Sequence, residues 1–182
     1  MLAIPTPLES VYLLEPKVFQ DERGVFFESF SQQAFEHQVG NHYPSFVQDN
    51  HSISCRNVLR GLHYQVGKPQ GKLVRAVVGK IFDVAVDLRQ SSPSFGQWVG
   101  YELSADNHRQ LWIPPGFAHG FLALSDRVEV LYKTTDYYYP AGDRALHWND
   151  PDLAIDWPFI GDVILSQKDQ AAPGLAQAER FA

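Results

Sequence analysis

Short apolar runs, broken every few positions by Gly, Pro, Ser or Asp, dominate the chain. "SVYLLEP", "GVFFESF", "SFVQDNHSIS", "VLRGLHYQ", "KLVRAVVGKIFDVAVDL", "QWVGYELS", "QLWIPPGFAHGFLAL" and "VEVLYKTTDYY" are rich in Val, Ile, Phe, Tyr and Trp. Such runs predict strands. Val74–Val78 and Ile81–Asp87 flank Gly79-Lys80, which predicts a hairpin. In its second arm Phe82, Val84, Val86 and Leu88 share one face, and Asp83, Ala85 and Asp87 share the other.

Two helices are expected. Ser31 caps one through "QQAFEHQV", with Gly40 as its stop. The tail after Pro173, "GLAQAERF", is expected to form the other. Many short strands with few helices predict an all-β sandwich or barrel, whose polar face can line a ligand cavity instead of meeting water. No repeat, low-complexity segment or linker stands out, so residues 1–182 read as one domain.

Composition narrows the picture. The chain has 182 residues and a formal net charge of −6. That length suits one domain with a real core. That charge argues against a general binder of nucleic acid or membrane surfaces, though local Arg and Lys can still hold an anionic small ligand. The single cysteine, Cys55, rules out an intrachain disulfide scaffold and disfavours a Cys-based zinc site. "MLAIPTPLES" lacks a basic n-region followed by an apolar stretch, and no run reaches membrane-span length. A cytoplasmic protein is expected.

The chemistry gathers in a few stretches. A lone strand histidine is ordinarily structural, but His63 lies three residues after Arg60 and nine before Lys72, all in apolar strand context. Charges placed there are costly unless paired or used. Strict alternation puts Arg60 and His63 on opposite faces. Either Gly61 admits a bulge that re-aims one of them, or Arg60 stands at the strand end; the sequence leaves both open.

"IPPGFAHGF" makes a tight turn and then His119. Pro-x-Gly-x-x-His is half of the cupin signature. The other half needs His-x-His and a later Glu, yet the chain offers His63-Tyr64-Gln65. Two histidines without a thiol or a clear carboxylate make a poor metal site, so a cupin-type barrel without metal is expected.

Tyr132 can be packing, or a proton donor to a carbanion. The aromatic run Tyr137–Tyr139 exceeds what packing needs and can stack on a base or sugar. Lys168 and Asp169 alone read as a surface charge pair. An acid beside a catalytic histidine, however, fixes its tautomer and raises its basicity. In "DERGVFFESF" Phe26, Glu28 and Phe30 alternate onto one face of a long edge strand able to serve a neighbouring subunit.

Together "DERGVFFESF", "VQDNHSIS", "VLRGLHYQ", "GKLVRAVVGKIFDVAVDLRQSSPSFGQW", "LSADNHRQLWIPPGFAHGFLALSD", "YKTTDYYYP", "WNDP" and "LSQKD" resemble the dTDP-4-dehydrorhamnose 3,5-epimerase family, from about Pro16 to Leu175. The resemblance implies a metal-free, cofactor-free cupin-like jelly-roll barrel with a few short peripheral helices, usually a homodimer. It implies a dTDP-4-keto sugar substrate whose C3 and C5 protons are exchanged through enolates. By that likeness His63 is the base and Asp169 holds it. Tyr132 is the acid and Lys72 the cation at the enolate oxygen. Arg60 and His119 line the sugar–diphosphate site. Gln48, Asn50, Asp143 and Lys168 bind substrate or nucleotide, Tyr138 stacks on thymine, and Arg23, Phe26 and Glu28 complete the site, with Arg23 and Glu28 coming from the partner subunit. Asn57 stands where the family often has Gly, and Asp143 where Glu is common. The competing readings are an epimerase acting at only one carbon, a non-catalytic nucleotide-sugar barrel and a metal-dependent cupin.

Overall fold

The computed structural model describes residues 1–40 and 42–182. Two antiparallel sheets face each other. The six-stranded sheet runs β1 (Leu2–Pro5), β2 (Tyr12–Glu15), β10 (Gln110–Ile113), β7 (Lys72–Val78), β12 (Val128–Thr134) and β5 (Gln48–Ser54). The five-stranded sheet runs β13 (Asp143–Ala145), β6 (Leu59–Gln65), β11 (Phe117–Ala123), β8 (Lys80–Asp87) and β9 (Trp98–Ser104). A small hairpin of β3 (Val18–Asp21) and β4 (Gly24–Phe27) joins neither.

Alternation along the strands fills the space between the sheets. Leu13, Val74, Leu111, Ile113 and Val130 from one sheet meet Ile81, Ala85, Leu103, Phe117 and Phe121 from the other, all buried. The opposite face of the five-stranded sheet carries Leu62, Val84, Val86 and Leu122, covered by Leu153, Ile155, Trp157 and Leu175 of the C-terminal segment. Outside the six-stranded sheet, Leu73 and Trp112 are covered by Phe35 and Val39 of α1 (Gln32–Val39). This is the cupin-like barrel that the sequence predicts.

The first helix is as expected: the Ser31 hydroxyl accepts from Ala34 N–H, and Gly40 ends it at a φ of +112°. Three expectations are corrected. Gly79-Lys80 is not a paired hairpin turn. β7 pairs with β10 and β12, whereas β8 pairs with β9 and β11, so Gly79 (φ +68°) passes the chain from one sheet to the other. The expected tail helix is absent: turns follow Pro173, and Phe181 forms a single parallel bridge with Arg89. Leu175 and Ala178 pack onto the sheet, and Asp150 takes the Leu175 N–H at 2.9 Å. The edge strand expected to carry Phe26, Glu28 and Phe30 stops at Phe27. Phe26 stays exposed, while Phe30 turns in against Phe46. A short helix that was not expected, α2 (Gln167–Gln170), is capped by Ser166.

Candidate active site

A cavity of about 660 Å³ opens between the two sheets, where the edge strand β5 faces β6 and β13. Its walls hold Gln48, Asn50, Arg60, His63, Lys72, His119, Tyr132, Tyr138, Asp143, Lys168 and Asp169.

The question raised by Arg60 and His63 is settled by Gly61. Opposite β11, the step of three from Arg60 to His63 on β6 matches a step of two from Phe121 to His119, so β6 carries one extra residue. Leu59 and Leu62 therefore both point outward into the packed layer, while Arg60 and His63 both reach the cavity. Gly61 has a φ of +132°, and a Cβ there would stand 2.5 Å from Gly120 Cα. Only glycine fits that bulge.

His63 Nε2 lies 2.5 Å from Asp169 Oδ1. The ring N–H donates to the carboxylate, which leaves Nδ1 as the nitrogen with the free lone pair. Asp169 is held by the Ser166 hydroxyl and by the Gly61 N–H. Burial pushes its carboxyl up, but the His63 hydrogen bond and charge, with those two donors, outweigh burial and leave it below the ordinary value.

Lys72 is buried, with Nζ donating to the His63 carbonyl at 3.1 Å. Burial pulls its ammonium down to about 8, opposed by the charges of Asp83 and Asp143. Tyr132 faces in from the opposite sheet. Burial, helped by Asp143, pushes its phenol up, against the pull of Arg60; it stays protonated at neutral pH. His119 Nε2 lies 2.8 Å from Asp83 Oδ1. Burial lowers this imidazole despite the Asp83 contact, and the charges of Lys72 and His63 add to the lowering. His63 and His119 are register partners on adjacent strands, so two imidazole–carboxylate pairs sit side by side on one wall.

The rim is polar. Asp143 accepts from Lys168 Nζ at 2.5 Å and from the Tyr138 hydroxyl at 3.3 Å. Tyr138 N–H donates to Gln48 Oε1, and Gln48 donates to Asn50. Arg60 donates to the Ser54 hydroxyl and the Ile53 carbonyl.

Three expected site residues lie elsewhere in the single chain. Arg23 pairs with Asp21 on the exposed hairpin, and Phe26 and Glu28 follow it away from the cavity. Two useful residues were missed. Gln65 follows His63 on the same face of β6 and ties down the aromatic run, donating to the Tyr137 carbonyl and accepting from Tyr139 N–H. Asp83, which positions His119, belongs to the polar face of β8 that the alternation already exposed. Among the described residues no group of three or more His, Cys, Asp or Glu side chains is placed to hold a metal ion.

The family profile of dTDP-4-dehydrorhamnose 3,5-epimerases matches residues 5–177. The chain belongs to this family. It is a carbohydrate epimerase, an isomerase of nucleotide sugars. The dTDP-4-dehydrorhamnose 3,5-epimerase of Escherichia coli is 61% identical over 172 residues, covering 93% of this chain and 92% of the relative. That of Pseudomonas aeruginosa is 59% identical over 180 residues, covering 99% and 97%. The crystal structure of the Legionella pneumophila 3,5-epimerase in complex with dTDP-4-keto-L-rhamnose superposes with a TM-score of 0.94 at 51% identity, covering 97% of this chain and 94% of that one.

Proposed function

We propose that this epimerase converts dTDP-4-dehydro-6-deoxy-D-glucose to dTDP-4-dehydro-L-rhamnose, without a cofactor, by exchanging protons at C3 and C5. The observation that carries the reading is that His63 and Tyr132, on opposite sheets, line one cavity together with Lys72, which stands on the strand beside that of Tyr132. The C4 ketone acidifies the neighbouring C–H bonds. His63 Nδ1 takes the proton, and the electron pair of the broken bond moves through the ring to the C4 oxygen as an enolate. The ammonium of Lys72 stabilises that oxygen where water is excluded. Tyr132, kept protonated by burial, returns a proton to the opposite face and inverts the carbon.

Arg60 and Lys168 suit the diphosphate, with Gln48, Asn50 and Asp143 on the nucleotide side. The exposed ring of Tyr138 at the rim suits stacking on thymine. His119, held by Asp83, lines the sugar pocket.

The hairpin β3–β4 projects Val18, Phe19, Val25 and Phe26 into solvent. Apolar side chains gathered on so small an element favour a covering subunit. We read the protein as a homodimer whose hairpin delivers Arg23, Phe26 and Glu28 to the neighbouring cavity. No helix among the described residues is long and apolar enough to cross a membrane, and we place the protein in the cytoplasm.

The test is turnover of the 4-keto sugar in deuterated water with a coupled reductase. Deuterium at both C3 and C5 of the product is expected. Label at one carbon alone makes the protein a single-site epimerase, and binding without any exchange makes it a nucleotide-sugar binding barrel.

A further inference from the structure

The pairing of His63 with Asp169 spans 106 residues, and a second contact explains how it is kept in step. Val58 and Ile164 form an isolated parallel bridge, also between residues 106 positions apart. From each side of that bridge the chain runs five residues further to one member of the pair, along β6 to His63 and through the cap into α2 to Asp169. The bridge is a small clasp. Ile164 N–H donates to the Asn57 carbonyl at 2.8 Å, and Leu59 N–H donates to the Ile164 carbonyl at 3.0 Å. Asn57 N–H donates to Ala123 O on β11 at 2.9 Å, which fixes the clasp to the sheet. The Asn57 side-chain amide donates to the Ile160 carbonyl at 2.7 Å.

The clasp depends on the backbone of Asn57, which takes a φ of +63°. That left-handed conformation is tolerated by Asn and Gly and resisted by β-branched residues. Beyond the clasp the chain has little slack: Leu165 lines the cavity, Ser166 caps the four-residue helix, and Asp169 closes on the ring. Before the clasp the chain is looser: Ile160, Gly161 and Asp162 are exposed, and the Asn57 amide holds the Ile160 carbonyl.

We propose that the Asn57–Ile164 clasp is the register pin of the active site: it sets the equal five-residue offsets by which Asp169 meets His63, and Asn57 is a positioning residue acting through that pair. The inference rests on the reading of His63 as the base.

The experiment uses two single-glycine insertions, one before the clasp (between Gly161 and Asp162) and one after it (between Leu165 and Ser166), alongside N57G, N57V and H63A. The readouts are kcat and KM in the coupled assay and the NMR signal of the proton shared by His63 and Asp169. The insertion before the clasp and N57G are expected to keep kcat within about threefold and to keep the shared-proton signal. The insertion after the clasp and N57V are expected to lose about 10²-fold in kcat, the scale of a displacement of about 1 Å in a positioned group, with the shared-proton signal lost and KM less affected. A preserved signal in the second pair, or equal damage from both insertions, overturns the pin. Should N57V fail to fold, the insertion pair alone decides. Full activity in H63A overturns the base assignment instead, and the shared-proton readout still reports on the clasp independently.

Discussion

Replacing Lys72 with Met is expected to damage catalysis and stabilise the fold at once. The side chain is 8% exposed, so its ammonium sits where solvent screening is weak. At a separation of about 4 Å and an effective dielectric of about 20, a unit charge is worth about 4 kcal/mol to an adjacent oxyanion. That corresponds to a factor of about 10³ in rate. Met fills a similar volume and supplies no charge, so K72M should lose about 10³-fold in kcat with a smaller change in KM. The wild-type enzyme should also lose activity as the pH rises through about 8, where Lys72 gives up its proton. K72M should lack that limb.

The stability sign is opposite. The folded value of about 8 lies below the ordinary 10.5, so the unfolded chain holds this proton more tightly. Below pH 8 the buried charge therefore costs about 3 kcal/mol, a cost that fades as the pH rises from 8 to 10.5. Losing the hydrogen bond to the His63 carbonyl returns about 1 kcal/mol of that. A net gain of about 2 kcal/mol remains, which for a chain of this size raises Tm by about 4–8 °C. Steady-state kinetics over pH 6–9 and thermal denaturation at pH 7 test both halves. A variant within threefold of wild-type kcat removes the cation from the mechanism. A lower Tm shows that Lys72 is paid for by its carboxylate neighbours and that the burial argument fails.

Other substitutions probe other parts. Y132F should lower kcat by about 10²–10⁴-fold, the usual worth of a positioned acid, and deuterium incorporation will show which carbon it serves. Y138A should raise KM by roughly 5- to 150-fold if its ring stacks on the base, since such stacking is worth about 1–3 kcal/mol; an unchanged nucleotide affinity by calorimetry removes that role. G61A forces a Cβ against Gly120 at a positive φ, and denaturant unfolding should register a loss of at least about 2 kcal/mol. R23A should raise KM while light scattering still reports a dimer; a monomeric wild type would remove the shared-site reading.

How far the sequence reveals this molecule depends on how local each signal is. Alternation along β8 told correctly which residues face the packed layer and which face inward, because the strand period is a property of the backbone alone. Gly79-Lys80 misled, since a turn signal says that the chain reverses and not which sheet receives it. The tail "GLAQAERF" has helix formers, but Leu175 and Ala178 are fixed onto the barrel and override that propensity. α2 went unread because a single turn of four residues leaves no apolar periodicity in the sequence, and only its cap, Ser166 accepting from Asp169 N–H, marks where it starts. Arg60 and His63 were undecidable, because one bulged residue reverses the face of everything beyond it. The meeting of His63 with Asp169 was beyond any spacing rule, and it came to light as a likeness to a family before it did as a distance.

The architecture explains why this chemistry suits a sandwich. Inverting a carbon needs a base on one face of a flat enolate and an acid on the other. A single sheet or helix surface presents its side chains from one direction only. Two sheets facing each other present them from both, and here β6 supplies the imidazole while β12 supplies the phenol. β7, whose neighbour in the sheet is β12, brings the ammonium from the flank. Groups anchored on strands cost little reorganisation when charge develops, so the electrostatic work is done before the substrate arrives. Of these groups only Asp169, the carboxylate partner of the proposed base, comes from outside the strands, on a one-turn helix, and it is there that the proposed clasp acts.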